Sequence, residues 1–150
     1  MAELKQVPQS EARRIAQFMD LPSWKTIDDL GLVASVKLGF PARTAKIVVQ
    51  RIDPDERFVR VGDIIPKTTL HRRKGQSLTK DESEKLLALS KVFSEVLRLY
   101  HSDMKSAANF LMQLHPMLGN RSPIDLAKES ISGADLVMKL LAKADAGIAA

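Results

Sequence analysis

The residues best suited to chemistry form a short basic run, residues 67–74. The run reads Lys67, Thr68, Thr69, Leu70, His71, Arg72, Arg73 and Lys74. Leu70 is its only apolar anchor, which leaves the other side chains free to face outward. Two short segments, Arg57–Ile65 and Lys67–Lys74, meet at Pro66 with the size and pattern of a helix-turn-helix, in which the second helix lies in the major groove of DNA.

In that arrangement, the first residues of the second helix reach base edges and the flanking cations hold phosphates. Thr68, Thr69 and Arg72 then share the groove-facing surface, because positions three and four apart on a helix are neighbours. Arg72 can pair with guanine and the threonine methyls can pack on thymine. The phosphate contacts are Lys67, Arg73 and Lys74, and the role of His71 stays open. The alternative is a solvated basic turn without a ligand.

The chain lacks the residue constellations of the common enzyme classes. His71, His101 and His115 share no metal-ligand spacing, and there is neither a glycine-rich phosphate loop nor a Gly-x-Ser-x-Gly elbow. The absence of cysteine excludes a disulfide scaffold, thiolate zinc sites and a cysteine nucleophile. We therefore predict a binding protein with no metal, no cofactor and no catalytic residue, and a small enzyme remains only as a residual alternative.

Charge divides the chain into two unequal parts. Residues 1–80 hold 15 Lys and Arg against 9 Asp and Glu, whereas residues 81–150 hold 8 against 9. A basic first part favours nucleic acid, because neutralising phosphates releases counterions. A mildly basic surface that only keeps the protein soluble is the alternative. No apolar run approaches the ~20 residues of a membrane helix and no signal-peptide pattern precedes the rest, so we expect a cytoplasmic protein.

Apolar periodicity predicts helices throughout and no strand, hence an all-α fold. Aromatic residues make up only 5% of the chain, which also disfavours a β-sandwich. A Ser10 cap predicts a short first helix that ends before Pro22. The next predicted helices cover residues 26–38, 42–52 and about 80–101, and the first of these has Leu30, Val33 and Leu38 on its apolar face. Another begins at residue 102 or 103 and ends near 115, with Leu114 facing inward. The last two run from 123 to a break at Ser132-Gly133 and from 134 to about 145.

The helix over residues 80–101 has the strongest sequence signal. Thr79 and Glu82 have the spacing of a capping box, and the following apolar residues cover more than one side. We expect this helix to lie between the two parts of the chain or in a dimer interface. In the connection that follows the predicted helix over 42–52, Asp53, Asp55 and Glu56 lack the glycine and distant glutamate of a calcium loop, which favours capping in a solvated turn.

Several motifs in a fixed order resemble those of Xre/MbcA/ParS-type antitoxins, the partners of RES-domain toxins. They are Thr68-Thr69-Leu70-His71-Arg72-Arg73, Leu78-Thr79-x-x-Glu82-Ser83-x-x-Leu86, Ala108-x-Phe110-Leu111, Leu118-Gly119-x-x-x-Pro123-Ile124-Asp125-Leu126, and Gly133-x-x-x-Val137 through Gly147. The resemblance covers residues 26–150. It departs from the family at Phe110, where tryptophan is usual, at Asn120, where a second glycine is common, and at Lys143, where arginine is common.

The resemblance implies an all-α protein with an arm or short helix over 1–25, an Xre-like helix-turn-helix DNA-binding domain over 26–80, and a toxin-binding and dimerisation domain over 81–150. Such antitoxins dimerise, cover the active site of an NAD-degrading RES-domain toxin, and repress their own operon by binding operator DNA. NAD would be the toxin's substrate, so this chain binds no cofactor. The implied toxin-binding residues are Leu118, Gly119, Asn120, Arg121, Pro123, Lys143, Gly147, Ile148, Ala149 and Ala150.

Two alternatives to this reading stay open. One is a stand-alone transcriptional regulator whose C-terminal half only dimerises. The other is that the small apolar tail over 144–150 is only a frayed terminus.

Overall fold

Helices provide the regular structure of residues 10–147, the part of the chain that the computed structural model describes. They are α1 (Glu11–Phe18), α2 (Asp29–Leu38), α3 (Arg43–Ile52), α4 (Val61–Ile64), α5 (Lys67–Arg72), α6 (Lys80–Leu99), α7 (Met104–Met112), a 3₁₀ helix (Pro116–Leu118), α8 (Pro123–Glu129) and α9 (Ile131–Asp145). Over these residues only two isolated β-bridges occur, and no helix is long and apolar enough to cross a membrane. The predicted all-α fold is confirmed.

The long helix α6 forms the centre of the molecule. It packs against α1, α2 and α3 and also against α7, α8 and α9. Leu86, Leu89, Phe93 and Val96 on α6 are buried in one apolar core that extends from α1 to α9. The prediction that this helix lies between the two parts of the chain is confirmed, and its apolar residues cover several sides because it has neighbours on several sides.

Local capping signals decide where the later helices begin. The Thr79 hydroxyl accepts a hydrogen bond from the Glu82 backbone N–H, and the Glu82 carboxylate accepts one from the Thr79 N–H, which completes the predicted capping box. Asp103 caps α7 and Ser122 caps α8, with Pro123 at the first helical position. These three predicted starts are confirmed.

The predicted helix break at Ser132-Gly133 is wrong. Ser130 caps α9 by accepting a hydrogen bond from the Gly133 N–H at 2.9 Å, so Gly133 lies in the first turn of the helix. A Cβ atom at this position would lie 2.0 Å from the backbone oxygen of Leu126 on α8. Glycine is therefore required for the close packing of α8 on α9 and does not end a helix.

One predicted apolar face and one further residue predicted to face inward are also wrong. Leu30, Val33 and Leu38 are exposed on α2, which packs into the core through Leu32 and Val36 instead. Since α2 is apolar on both sides, periodicity alone could not distinguish them. A further residue predicted to face inward, Leu114, is exposed because α7 ends at Met112.

Candidate functional site

The basic run over residues 67–74 is positioned by a turn organised around a buried carboxylate. Asp53, which follows α3, accepts hydrogen bonds from the backbone N–H groups of Arg57, Phe58 and Val59 at 2.8–2.9 Å. The predicted capping in a solvated turn is wrong for Asp53, because its side chain is buried and bonds to residues that lie outside any helix. These bonds hold residues 57–59 outside any helix, so the predicted first segment Arg57–Ile65 shrinks to the single turn of α4.

α4 and α5 follow one another after only Ile65 and Pro66. Ile64 and Ile65 are buried, and Leu70 of α5 packs against the same core. This anchoring leaves one side of α5 free. The exposed residues of α5 are Lys67, Thr68, His71 and Arg72, whereas Thr69, Leu70 and the following Arg73 are half-buried.

An ion pair with α6 constrains the end of α5. The Arg73 Nε atom lies 3.1 Å from a Glu82 carboxylate oxygen, so this predicted phosphate contact is already paired within the chain. Burial raises the pKa of Glu82, but hydrogen bonds from the Thr79 backbone N–H and from Arg73 outweigh burial and hold the pKa below its usual value. Glu82 is therefore ionised at neutral pH, and this link between α5 and α6 is lost only as the pH falls through that lowered pKa.

Two cations from α3, which sequence reasoning missed, complete the basic surface. A groove of about 380 Å³ between α3 and α5 is lined by Arg43, Lys46, Lys67, Leu70, His71 and Lys74, together with Ala42 and Gly75. None of the described residues that line it is acidic. The adjoining cleft of about 580 Å³ shares Lys46 and Lys67 but is bordered by Asp55 and Glu56, so the cationic surface ends there. We call the exposed side of α5 together with this groove the basic surface.

The second group of predicted residues belongs to a closed loop between α7 and α8. The His115 N–H donates to the Arg121 backbone oxygen at 3.1 Å, and the Asn120 N–H donates to the His115 oxygen at 3.0 Å. The His115 ring accepts a hydrogen bond from the Met117 N–H through Nδ1 at 3.2 Å. These bonds make residues 115–121 a defined protrusion, which we call the 115–121 loop.

Within and beside this loop, the predicted toxin-binding residues divide by burial. Leu118 and Pro123 are buried and support the loop from inside, whereas Gly119, Asn120 and Arg121 are exposed. Gly119 and Asn120 both have left-handed backbones, with φ of 66° and 60°. Asparagine tolerates this conformation better than most residues, so it preserves the loop where the family commonly has glycine. Arg121 forms an ion pair with Glu129 of α8.

The remaining predicted toxin-binding residues lie at the end of α9. Lys143 and Gly147 are exposed, and Ile148, Ala149 and Ala150 lie outside the described residues. The last turn of α9 is attached to α6, because Arg98 contacts both Glu95 at 2.6 Å and Asp145 at 2.8 Å. These contacts raise the pKa of Arg98, with the Glu95 hydrogen bond as the largest cause. Gly147 therefore follows a helix end that is held against α6.

Exposed apolar side chains mark a surface that sequence reasoning did not include. Nine large apolar residues are exposed in the described part of the chain. Three lie on α2, and the other six are Met104, Met112, Leu114, Met117, Ile131 and Leu136. Leu114 and Met117 flank His115, so they place apolar surface on the 115–121 loop. The only sequence signal for the exposure of Leu114 and Met117 was Pro116, which lies shortly after the end of α7 and disfavours a longer helix.

Comparison with known proteins finds a relationship for the C-terminal part of the chain. Residues 96–147 match the family described as the antitoxin Xre/MbcA/ParS C-terminal toxin-binding domain. No curated protein matches the chain. The matched stretch begins in α6 and ends at Gly147, so it includes the 115–121 loop, α8 and α9, and all six of the exposed apolar residues that lie outside α2. Residues 96–147 are thus similar to the toxin-binding domain of Xre/MbcA/ParS antitoxins, as the resemblance of the motifs to that family implied.

Proposed function

We propose that the protein is a type II antitoxin that acts in the cytoplasm, covers the active site of a RES-domain NAD-degrading toxin, and represses its own operon through the basic surface. The observation that best supports toxin binding is the placement of the exposed apolar residues. Large apolar side chains left in water indicate a binding surface, and those outside α2 all lie in the toxin-binding domain.

The shape of the toxin-binding domain supports a role in covering a cleft. The 115–121 loop is closed by its own hydrogen bonds, so it can enter a concave surface without an ordering cost. The end of α9 is held against α6 through Arg98, which delivers the last residues of the chain from a rigid base. Loop and tail together would exclude substrate from the toxin.

The basic surface supports operator binding. Lys67, His71 and Arg72 lie on the exposed side of α5, and Arg43 and Lys46 add cations from α3 on the neighbouring groove. A cationic surface free of carboxylates suits the phosphate backbone, while Thr68 and Arg72 can reach base edges. Arg73 is paired with Glu82, so we assign it the role of holding α5 in place and leave the phosphate contacts to the other cations.

The test of the proposal is co-purification from cells that express the tagged chain with its neighbouring genes, followed by intact mass and an NAD-consumption assay. We expect a stoichiometric second protein whose NAD-consuming activity is silent in the complex and appears after separation. A chain that binds its promoter without any protein partner would instead establish the stand-alone regulator.

Deleting Gly147–Ala150 is expected to weaken or abolish neutralisation and to spare DNA binding, because α9 and the basic surface both stay in place. Toxin activity at increasing antitoxin concentration measures the first effect, and a promoter shift assay measures the second. Replacing Lys139, an exposed residue of α9 outside the predicted toxin-binding set, by alanine is a control that keeps the tail. Unchanged neutralisation by the shortened chain would show that the tail does not enter the cleft.

Arg72→Ala is expected to relax base preference, because this arginine is the exposed α5 residue best able to pair with guanine. Lys46→Ala and Lys74→Ala are expected to weaken binding to all sequences alike and to reduce the salt slope by about 1 each. Titrations of specific and unrelated duplexes at several salt concentrations distinguish these effects. Lys139→Ala on α9 removes the same charge elsewhere and is the control. No effect from any of the three would exclude the basic surface.

A further inference from the structure

The last turn of α9 is held in place by charge and not by apolar packing. Leu141 is the last buried residue of this helix, and residues 142–147 are all exposed. The contact between Arg98 and Asp145, at 2.8 Å, is the only side-chain hydrogen bond or ion pair that the structure describes for residues 142–147. The position of this turn therefore depends on how Arg98 is held.

Glu95 fixes the orientation of the Arg98 guanidinium. Its two carboxylate oxygens accept one hydrogen bond from Nε at 3.1 Å and one from Nη2 at 2.6 Å, and a bidentate contact of this kind fixes the guanidinium plane. The same Nη2 atom donates to Asp145, so each carboxylate accepts one of its two protons. Without Glu95, Arg98 would keep only Asp145, whose side chain is 50% exposed, and exposed pairs contribute little.

A second cation, Arg14 of α1, also holds Glu95. The Glu95 side chain is only 15% exposed, and a carboxylate that has lost most of its water needs compensating partners. Arg14 Nη2 lies 3.7 Å from Glu95 Oε2. The Arg14 Nε atom is buried and has no hydrogen-bond partner among the described residues, so the charge of Glu95 accounts for this position of the guanidinium. Glu95 is therefore shared by two cations, one on α1 and one on α6.

Four alternating charges thus connect three helices. They run from α1 through α6 to the end of α9, and we call them the charge series: Arg14, Glu95, Arg98 and Asp145. The matched toxin-binding stretch begins at residue 96, so it includes Arg98 and Asp145 but neither Glu95 nor α1. The support of the last turn of α9 therefore comes partly from residues that the family match does not cover.

We infer that Glu95 is a positioning residue for toxin neutralisation: with Arg14 of α1 it orients Arg98, which holds the turn of α9 from which residues 147–150 continue. The inference rests on the proposed function and extends it, because it adds α1 to the unit that presents these residues to the toxin. The effect arises before binding, since a segment that starts from an ordered turn loses less conformational freedom in the complex.

NMR relaxation of the full chain tests the positioning without any toxin. Glu95→Gln keeps the size of the side chain but leaves one acceptor oxygen instead of two, so the bidentate contact is lost. The order parameters of amides 143–147 are then expected to fall from about 0.85, typical of rigid backbone, to below about 0.6. Arg14→Met is expected to lower them by a smaller amount. Unchanged order parameters in Glu95→Gln would overturn the inference.

Two substitutions on the same helices are the matched controls. Glu84→Gln on α6 and Arg13→Met on α1 remove the same charges outside the charge series, because Glu84 pairs with Lys80 and Arg13 is exposed. We expect both to leave the order parameters of amides 143–147 unchanged. Circular dichroism checks that every variant is folded.

Calorimetric titration of the purified toxin tests the functional consequence. Glu95→Gln is expected to raise the dissociation constant of the complex about tenfold in the full chain, and to leave it unchanged in the chain shortened by deletion of Gly147–Ala150. A residue that only stabilises the fold would weaken both chains equally. Equal losses in the two chains, or no loss in the full chain, would overturn the inference. A chain that binds no toxin, although Glu95→Gln still lowers the order parameters, would contradict the proposed function alone.

Discussion

Replacing Leu114 and Met117 together by glutamate is expected to abolish toxin neutralisation while the chain stays folded and binds DNA. The two side chains are 63% and 53% exposed on either side of His115, so the folded chain loses little when they change. In a complex they would be desolvated. A carboxylate buried there without a partner costs much of the binding free energy, so we expect affinity for the toxin to fall by about 100-fold or more.

Leu30→Glu on α2 is the control, because it puts a carboxylate at an exposed apolar position outside the toxin-binding domain. We expect it to preserve affinity for the toxin. Calorimetric titration of the purified toxin with each variant measures the difference, and NAD consumption reports inhibition. If the double variant of the 115–121 loop inhibits as well as the original chain, the toxin contacts another part of the domain. Ile131→Glu and Leu136→Glu would then locate the contact.

Asp53→Ala is expected to lower the free energy of unfolding by about 3 kcal/mol, the largest effect we expect from a polar residue. Asp53 is only 3% exposed, and its carboxylate is the acceptor for three consecutive backbone N–H groups. Without it, these donors lose their partner at the point where the chain turns from α3 toward α4. The same change should lower DNA affinity, since α5 follows from that turn.

Asp55→Ala, two residues further on, provides the control. Asp55 is exposed and forms only a surface ion pair with Arg57 at 3.6 Å, so we expect a loss below about 0.5 kcal/mol. Urea unfolding followed by circular dichroism compares the two variants. Similar losses from both would show that the Asp53 hydrogen bonds do not organise the turn.

Local rules predicted a large share of the fold. The starts of α6, α7 and α8 follow from Thr79, Asp103 and Ser122, because a capping side chain bonds to backbone groups only two or three residues away. The match over residues 96–147 likewise confirms the family that the order of the motifs indicated. The order and spacing of motifs can be compared in the sequence itself and do not depend on how the helices pack. The basic surface and the partners of the chain stay predictions that the experiments above address.

Which residues meet in space was decided by tertiary structure alone. Burial depends on neighbours that lie far away in the sequence, so periodicity could not show that Leu30 and Val33 are left in water. Arg43 and Lys67 line the same groove only because α3 and α5 lie side by side. Arg73 is held in an ion pair only because α6 brings the Glu82 carboxylate within 3.1 Å. The sequence by itself thus determined the helices, their caps and the family of the C-terminal part. Packing decided which of their side chains remain available to a partner, because exposure is a property of the assembled chain and not of any one helix.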